Sequence, residues 1–175
     1  MTAQAGAAGR VYLLGFMGAG KTTVGRLLAA ARGVPFLDLD QALEAMAGCT
    51  VREAFETHGE PWFREREAEL LRGTAALPAA VVALGGGTFT FEANRQWISR
   101  HGVSVFLDVP FEAIERRLTG KAADRPLFVS AEQARALYEV RRPWYTMADR
   151  VVTLSGGETP ESVAEVVARA LPGGL

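Results

Sequence analysis

Eight residues near the start of the chain, Gly15-Phe16-Met17-Gly18-Ala19-Gly20-Lys21-Thr22, have the types and spacing of a phosphate cradle. They fill the pattern G-x4-G-K-[ST] at every fixed position. Its glycines let successive backbone N–H groups turn inward without a Cβ in the way, and the helix that follows directs its positive end to the same point. In such a loop Gly18, Ala19, Gly20 and Thr23 lie against the phosphates. Lys21 reaches the β- and γ-phosphates, and the Thr22 hydroxyl binds Mg²⁺. The expected ligands are therefore a nucleoside triphosphate and Mg²⁺. A competing account, a glycine-rich turn holding Lys-Thr by chance, has to explain the full motif and its flanking strand and helix together. Of the 19 basic residues 17 are arginine, and Lys21 is one of the two lysines, placed where a compact ammonium is required.

Other residues could serve a phosphoryl acceptor. Asp38 and Asp40 end the second apolar run, and strand alternation would put both on one face. One carboxylate could join the Mg²⁺ shell while the other orients an acceptor hydroxyl or takes its proton; alternatively, one of them caps the helix that follows. Arg64 and Glu67, three apart, share a helix face, within a run of alternating charge that also reads as a solvated surface. Gly85-Gly86-Gly87 calls either for a ligand lying against bare amides or for a strained turn. Arg125, in the polar stretch 119–130, could close over a triphosphate, or the stretch is an ordinary surface loop. Arg141 and Arg142 precede a proline; one could bind a carboxylate bidentately, or both could mark a charged helix end.

Composition sets bounds on these readings. The 175 residues suit one domain with a single large core, and 49% hydrophobic with 22% charged residues is ordinary for a globular chain. A net charge of −1 carries no basic excess for a polyanion. One cysteine, Cys49, excludes an internal disulfide, and the apolar run at Val11–Phe16 is far too short to span a bilayer. We expect a cytoplasmic monomer with small-molecule partners, engaging neither nucleic acid nor membrane.

Short apolar runs alternate with helical patterns. Strands are expected at Val11–Leu14, Pro35–Leu37, Ala80–Leu84, Val103–Leu107 and Arg150–Leu154. Helices are expected from Gly20 to about Ala31, from the capping box Thr50-Val51-Arg52-Glu53, and from Pro61 to about Thr74. Others follow at Glu92–Arg100, Pro110 to about Leu118, Ala131–Met147 and after Pro160. Residues 1–9 read as frayed. Nearly pure apolar strands separated by helices predict an α/β fold, a three-layer α/β/α arrangement around a five-stranded parallel sheet. Ligands bind such sheets beyond the carboxyl ends of the strands, where the polar segments after the first three strands converge.

Taken together, GFMGAGKTT at 15–23, DLD at 38–40, FRERE at 63–67, GGG at 85–87, RPL at 125–127 and RRPWY at 141–145 resemble shikimate kinase over nearly the whole chain. The resemblance implies a P-loop NTPase fold of the nucleoside-monophosphate-kinase type with a mobile lid at about 119–130. It implies transfer of the γ-phosphate of ATP to the 3-hydroxyl of shikimate, on the route to chorismate and aromatic amino acids. By this resemblance Asp40 holds the acceptor hydroxyls and acts as base, and Asp38 lies near Mg²⁺. Arg64 and Arg141 clamp the acceptor carboxylate, with Gly86 and Gly87 lending backbone contacts and Glu67 supporting them. Arg125 is the lid arginine, and Arg117 packs on adenine.

The chain departs from the pattern in places. Thr88-Phe89-Thr90-Phe91 is bulkier than the small residues expected after the triple glycine. Ser155-Gly156-Gly157 stands where some relatives carry a basic residue near adenine. Arg142 adds a charge beside the clamp, although the R-x-P-x-Y spacing favours Arg141. Three other readings compete: a P-loop kinase of gluconate or of a nucleoside monophosphate, a GTPase-type switch, and a module that holds ATP without catalysis. The switch lacks its Asn-Lys-x-Asp motif, since the single asparagine, Asn94, is followed by arginine. Neither His58 nor His101 falls in a motif.

Overall fold

The computed structural model describes residues 9–119 and 130–172. Residues 1–8 of the expected frayed start, the lid stretch between Thr119 and Ser130, and Arg125 within it lie outside the described residues, while Gly9 accepts a hydrogen bond from the Ala80 N–H at 3.1 Å.

The elements run in the order β1 (Arg10–Leu14), α1 (Lys21–Arg32), β2 (Phe36–Asp38), α2 (Leu39–Ala47), α3 (Val51–Gly73), β3 (Ala80–Ala83), α4 (Glu92–His101), β4 (Val103–Asp108), α5 (Phe111–Thr119), α6 (Ala131–Tyr145), β5 (Arg150–Thr153) and α7 (Pro160–Ala170). All strand pairings are parallel, in the order β2-β3-β1-β4-β5. Val11 to Leu14 and Ala80 to Ala83 are buried without a break. Since successive strand side chains point to opposite faces, both faces of the sheet centre must be covered. On one side α1 and α7 pack together, α1 lying against β1–β3; elsewhere α4 packs on β4 and meets α3. From β1 the chain first builds the β3-β2 edge and then crosses to β4 and β5. The carboxyl end of β1 is thus the point where the strand order reverses and a crevice opens.

Local chemistry explains the boundaries. Gly33, with φ 63°, closes α1 in the left-handed region that glycine enters at least cost. At the start of α3, Thr50 and Glu53 form the expected reciprocal capping box.

The two helices expected on either side of His58 are present, joined end to end as α3 with a non-helical kink at Gly59 (φ 80°, ψ 170°), and Pro61 stands in the first turn after it, where its missing N–H is no loss. Pro143 lies inside α6, which continues to Tyr145. One expectation needs correction. Asp40 is not a strand residue: β2 ends at Asp38, whose carboxylate caps α2, so Asp40 stands in the first turn of a helix.

The core is continuous through the sheet and its covering helices. A second, smaller apolar cluster of Leu43, Ala54 and Phe63, flanked by Val51, Phe55 and Trp62, lies between α2 and α3. Both histidines are structural: His58 stacks on Trp62 at 4.2 Å and His101 on Trp97 at 4.0 Å.

Candidate active site

The loop from Gly15 to Gly20 leaves β1 at the sheet centre and feeds α1. Gly18 (φ 79°) and Gly20 (φ 94°) occupy backbone conformations that a Cβ disfavours. Gly20 stands at the N-cap of α1 with no side-chain cap, so the first amides of the helix face the loop. Lys21 Nζ donates to the Gly15 carbonyl at 2.8 Å and to that of Phe16 at 3.2 Å, holding the ammonium across the loop. Thr22 Oγ1 donates to Asp38 Oδ2 at 2.6 Å, while Asp38 Oδ1 accepts the N–H groups of Asp40 and Gln41. Asp38 thus combines both roles considered for it, as helix cap and as neighbour of the phosphate loop. A hydroxyl and a carboxylate oxygen side by side are hard donors of the kind Mg²⁺ takes together with phosphate oxygens and water.

A cavity of about 740 Å³ extends from this loop across the carboxyl ends of the strands. Gly18, Gly20, Lys21, Thr22 and Thr23 line its donor end together with Asp38. Asp40, Arg64, Glu67, Gly86, Gly87 and Arg141 line the rest. Ala19 is buried, and its N–H donates to the Phe16 carbonyl. Arg117 also borders the cavity and donates to the Gly18 carbonyl at 2.9 Å and the Gly156 carbonyl at 3.1 Å, tying the phosphate loop to the turn after β5. In that turn Glu158 accepts from the N–H groups of Ser155 and Gly156, and these bonds hold its carboxyl down at about 2.

At the acceptor end, burial pushes the Asp40 carboxyl up to about 6. The Lys21 ammonium acts against that rise, and the Asp38, Glu67 and Glu44 carboxylates reinforce it. A carboxyl with that affinity for protons suits a general base near neutral pH. Arg64 Nη1 donates to Glu67 Oε2 at 2.9 Å, its Nε to Glu60 at 3.3 Å, and its guanidinium lies 5.3 Å from the ring centres of both Phe63 and Phe91. Arg141 is only 8% exposed, and no carboxylate of the described residues pairs with it. Its neighbour Arg142 faces away and grips both oxygens of Asp108, at 3.1 and 2.6 Å. Of the two, Arg141 is the one that lines the cavity. Burial pushes the Tyr145 hydroxyl up to about 12, against the Arg141 guanidinium beside it, and the hydroxyl donates to the Gly86 carbonyl.

The triple glycine is explained by neither a strained turn nor a ligand alone. None of its three residues has positive φ. A Cβ on Gly85 would stand 2.6 Å from Glu67 Oε1 and 2.7 Å from Asp40 Oδ1, one on Gly86 would meet Arg141 Nη1 at 2.9 Å, and one on Gly87 would strike the Arg64 guanidinium. The glycines make room for the functional side chains themselves.

The geometry is that of a nucleotide site opposed by a pair of guanidiniums and a raised carboxyl, and the comparisons with known proteins fit it. The family model for shikimate kinase matches residues 17–172. The chain belongs to the shikimate kinase family. It is 44% identical over 164 residues to the shikimate kinase of Ruegeria pomeroyi, covering 92% of this chain and 82% of that one. The enzyme of Nostoc punctiforme is 39% identical over 165 residues, covering 93% and 90%. Among solved structures, a shikimate kinase from Acinetobacter baumannii in complex with shikimate superposes with a TM-score of 0.86 at 34% identity, covering 94% of this chain and 93% of the other. A gluconokinase from Sinorhizobium meliloti shares only the fold, with a TM-score of 0.56 at 16% identity over 90% and 87% of the two chains. Like its family, the chain is an ATP-dependent kinase.

Some residues of the candidate site gave no signal in the sequence: Glu60 and Glu44 lie in no motif. Phe63, Thr88 and Phe91 lie inside or beside quoted segments, yet only the fold brings them to Arg64 and Glu67. Among the described residues no helix is long and apolar enough to cross a membrane.

Proposed function

We propose that the chain transfers the γ-phosphoryl group of ATP to the 3-hydroxyl of shikimate, giving shikimate 3-phosphate and ADP. The observation that carries this reading is Arg141, a buried guanidinium with no carboxylate partner among the described residues, lying against the same glycine turn as Arg64. A buried cation is costly unless an anion meets it, and a planar carboxylate is the natural complement of paired guanidiniums. The raised carboxyl of Asp40 sits between this anion site and the phosphate loop, where an acceptor hydroxyl belongs.

In this mechanism Arg64 and Arg141 orient the acceptor by its carboxylate, with Gly86 and Gly87 presenting bare backbone beside it. Asp40 accepts the hydroxyl proton as the new O–P bond forms and the bond from the γ-phosphorus to the β,γ-bridging oxygen breaks. Lys21 leaves its loop carbonyls to neutralise charge on the β- and γ-phosphates, and the amides from Gly18 to Thr23 cradle them. Thr22 and Asp38 would hold Mg²⁺, which supplies charge neutralisation at the phosphate oxygens. Arg117 borders the nucleotide, and Arg125, which lies outside the described residues, would add its charge at the phosphates. The same proposal takes the chain as a cytoplasmic monomer, which light scattering of the purified protein and fractionation of cells check.

An ADP-release assay across shikimate, gluconate, AMP and CMP tests the reading. Turnover of shikimate alone is expected, and robust turnover of another acceptor without shikimate activity would overturn it.

A further inference from the structure

The segment after the triple glycine carries a feature that the catalytic account leaves unused. Thr88 is completely buried and opens the single helical turn Thr88–Thr90. Its N–H donates to the Gly85 carbonyl at 3.1 Å, and its carbonyl accepts from the side-chain amide of Asn94, itself buried, at 2.9 Å. With the backbone held on both sides, the hydroxyl has a fixed direction. It donates to Glu67 Oε1 at 2.6 Å, while the other oxygen, Oε2, accepts from Arg64 at 2.9 Å.

We propose that Thr88 is a positioning residue for the acceptor: it fixes the plane of the Glu67 carboxylate, and Glu67 in turn fixes the angle of the Arg64 guanidinium. The remaining contacts of Arg64 do not set that angle. Glu60 is 58% exposed and accepts at 3.3 Å, a loose and solvent-screened contact. The rings of Phe63 and Phe91 face the guanidinium at 5.3 Å each, and attraction over a ring face restrains height more than direction within the plane. Glu67 is 3% exposed, so water does not replace a lost hydroxyl there easily. Without the Thr88 donor the carboxylate is anchored at one oxygen and free to turn, and Arg64 turns with it.

This inference rests on the reading of Arg64 as a ligand of the acceptor carboxylate, and one set of variants tells the two apart. In Thr88→Val, which keeps the shape and removes the donor, the KM for shikimate is expected to rise roughly tenfold, the size of one lost hydrogen bond. The KM for ATP should stay within about twofold. Thr88→Ala serves in its place if the valine variant does not fold, which thermal unfolding reports. Thr88→Ser restores the donor and should bring the shikimate KM back toward the parent. In an Arg64→Ala background, removing the hydroxyl should add nothing further, because the path runs through Arg64. If Arg64→Ala leaves the shikimate KM unchanged, the acceptor reading itself fails. If Arg64→Ala raises it but Thr88→Val does not, or if Thr88→Val raises both KM values equally or adds its full effect without Arg64, the role of Thr88 is refuted.

Discussion

Gly85 offers a sharp test of how this site is built. Replacing it with alanine adds one methyl group and imposes no backbone strain, since Gly85 is not in the positive-φ region. The added Cβ would nevertheless stand 2.6 Å from Glu67 Oε1 and 2.7 Å from Asp40 Oδ1. Close carbon–oxygen contacts begin near about 3.3 Å, so each oxygen must retreat by roughly 0.6 Å or more. Glu67 cannot retreat without stretching its bonds to Thr88 and Arg64. Overpacking of this kind costs about 1–3 kcal/mol, or roughly 2–12 °C in Tm for a chain of this size. The effect on rate should be larger. A reacting group displaced by an appreciable fraction of an ångström loses on the order of a hundredfold, and here the candidate base and the acceptor support move together. Steady-state ADP release should show kcat/KM for shikimate falling by about that factor, while calorimetry with a non-hydrolysable ATP analogue shows nucleotide affinity within about twofold of the parent. A Gly85→Ala protein with parental kcat/KM, or one whose nucleotide affinity falls as far as its rate, would refute the reasoning.

Other outcomes follow from the same geometry. Lys21→Ala should lower kcat on the order of a hundredfold or more, since charge stabilisation dominates phosphoryl transfer; near-parental turnover would remove the phosphate loop from the mechanism. Arg64→Ala should raise the KM for shikimate far more than that for ATP, and equal changes would move Arg64 out of the acceptor site. With the Asp40 carboxyl near 6, kcat/KM for shikimate should fall about tenfold per pH unit below that value, and a flat profile from about pH 5 to 7 would exclude Asp40 as the base. Folding carries the opposite sign. A carboxyl raised in the folded state from 3.8 to about 6 contributes stability below the lower value that is lost as pH rises through the upper one. Asp40→Asn should therefore be inactive yet melt higher than the parent at pH 8; a lower Tm would contradict the burial that raises the carboxyl.

Much of the architecture was legible because parallel strands covered on both faces must be almost wholly apolar, as Val11–Leu14 and Ala80–Ala83 are. The phosphate loop was legible because its chemistry is contiguous in the chain. The acceptor half was harder for the opposite reason. Strand alternation carried one residue too far put Asp40 on β2, whereas the carboxylate of Asp38 caps a helix and turns the chain before Asp40 is reached. The choice between Arg141 and Arg142 depended on Asp108, 34 residues away, which draws one of two adjacent helical side chains outward. The need for three glycines could not be seen in the turn itself, because the groups that would clash with a Cβ come from α2, α3 and α6.

The break in α3 at Gly59 divides more than a helix. Before it lies a lobe of α2 and the first turns of α3, whose Leu43 and Ala54 pack on Phe63 from beyond the break in an apolar cluster separate from that of the sheet. Such a lobe is a small cooperative unit that can loosen without wetting the main core, at a free energy below that of global unfolding. Its amides should exchange with solvent sooner than those of β1 and β3, which lie buried at the centre of the sheet. The phosphate loop leaves the buried strand β1, whereas Asp40 stands on the lobe, so hydrogen exchange is expected to separate the donor end of the cavity from the helix that carries the candidate base.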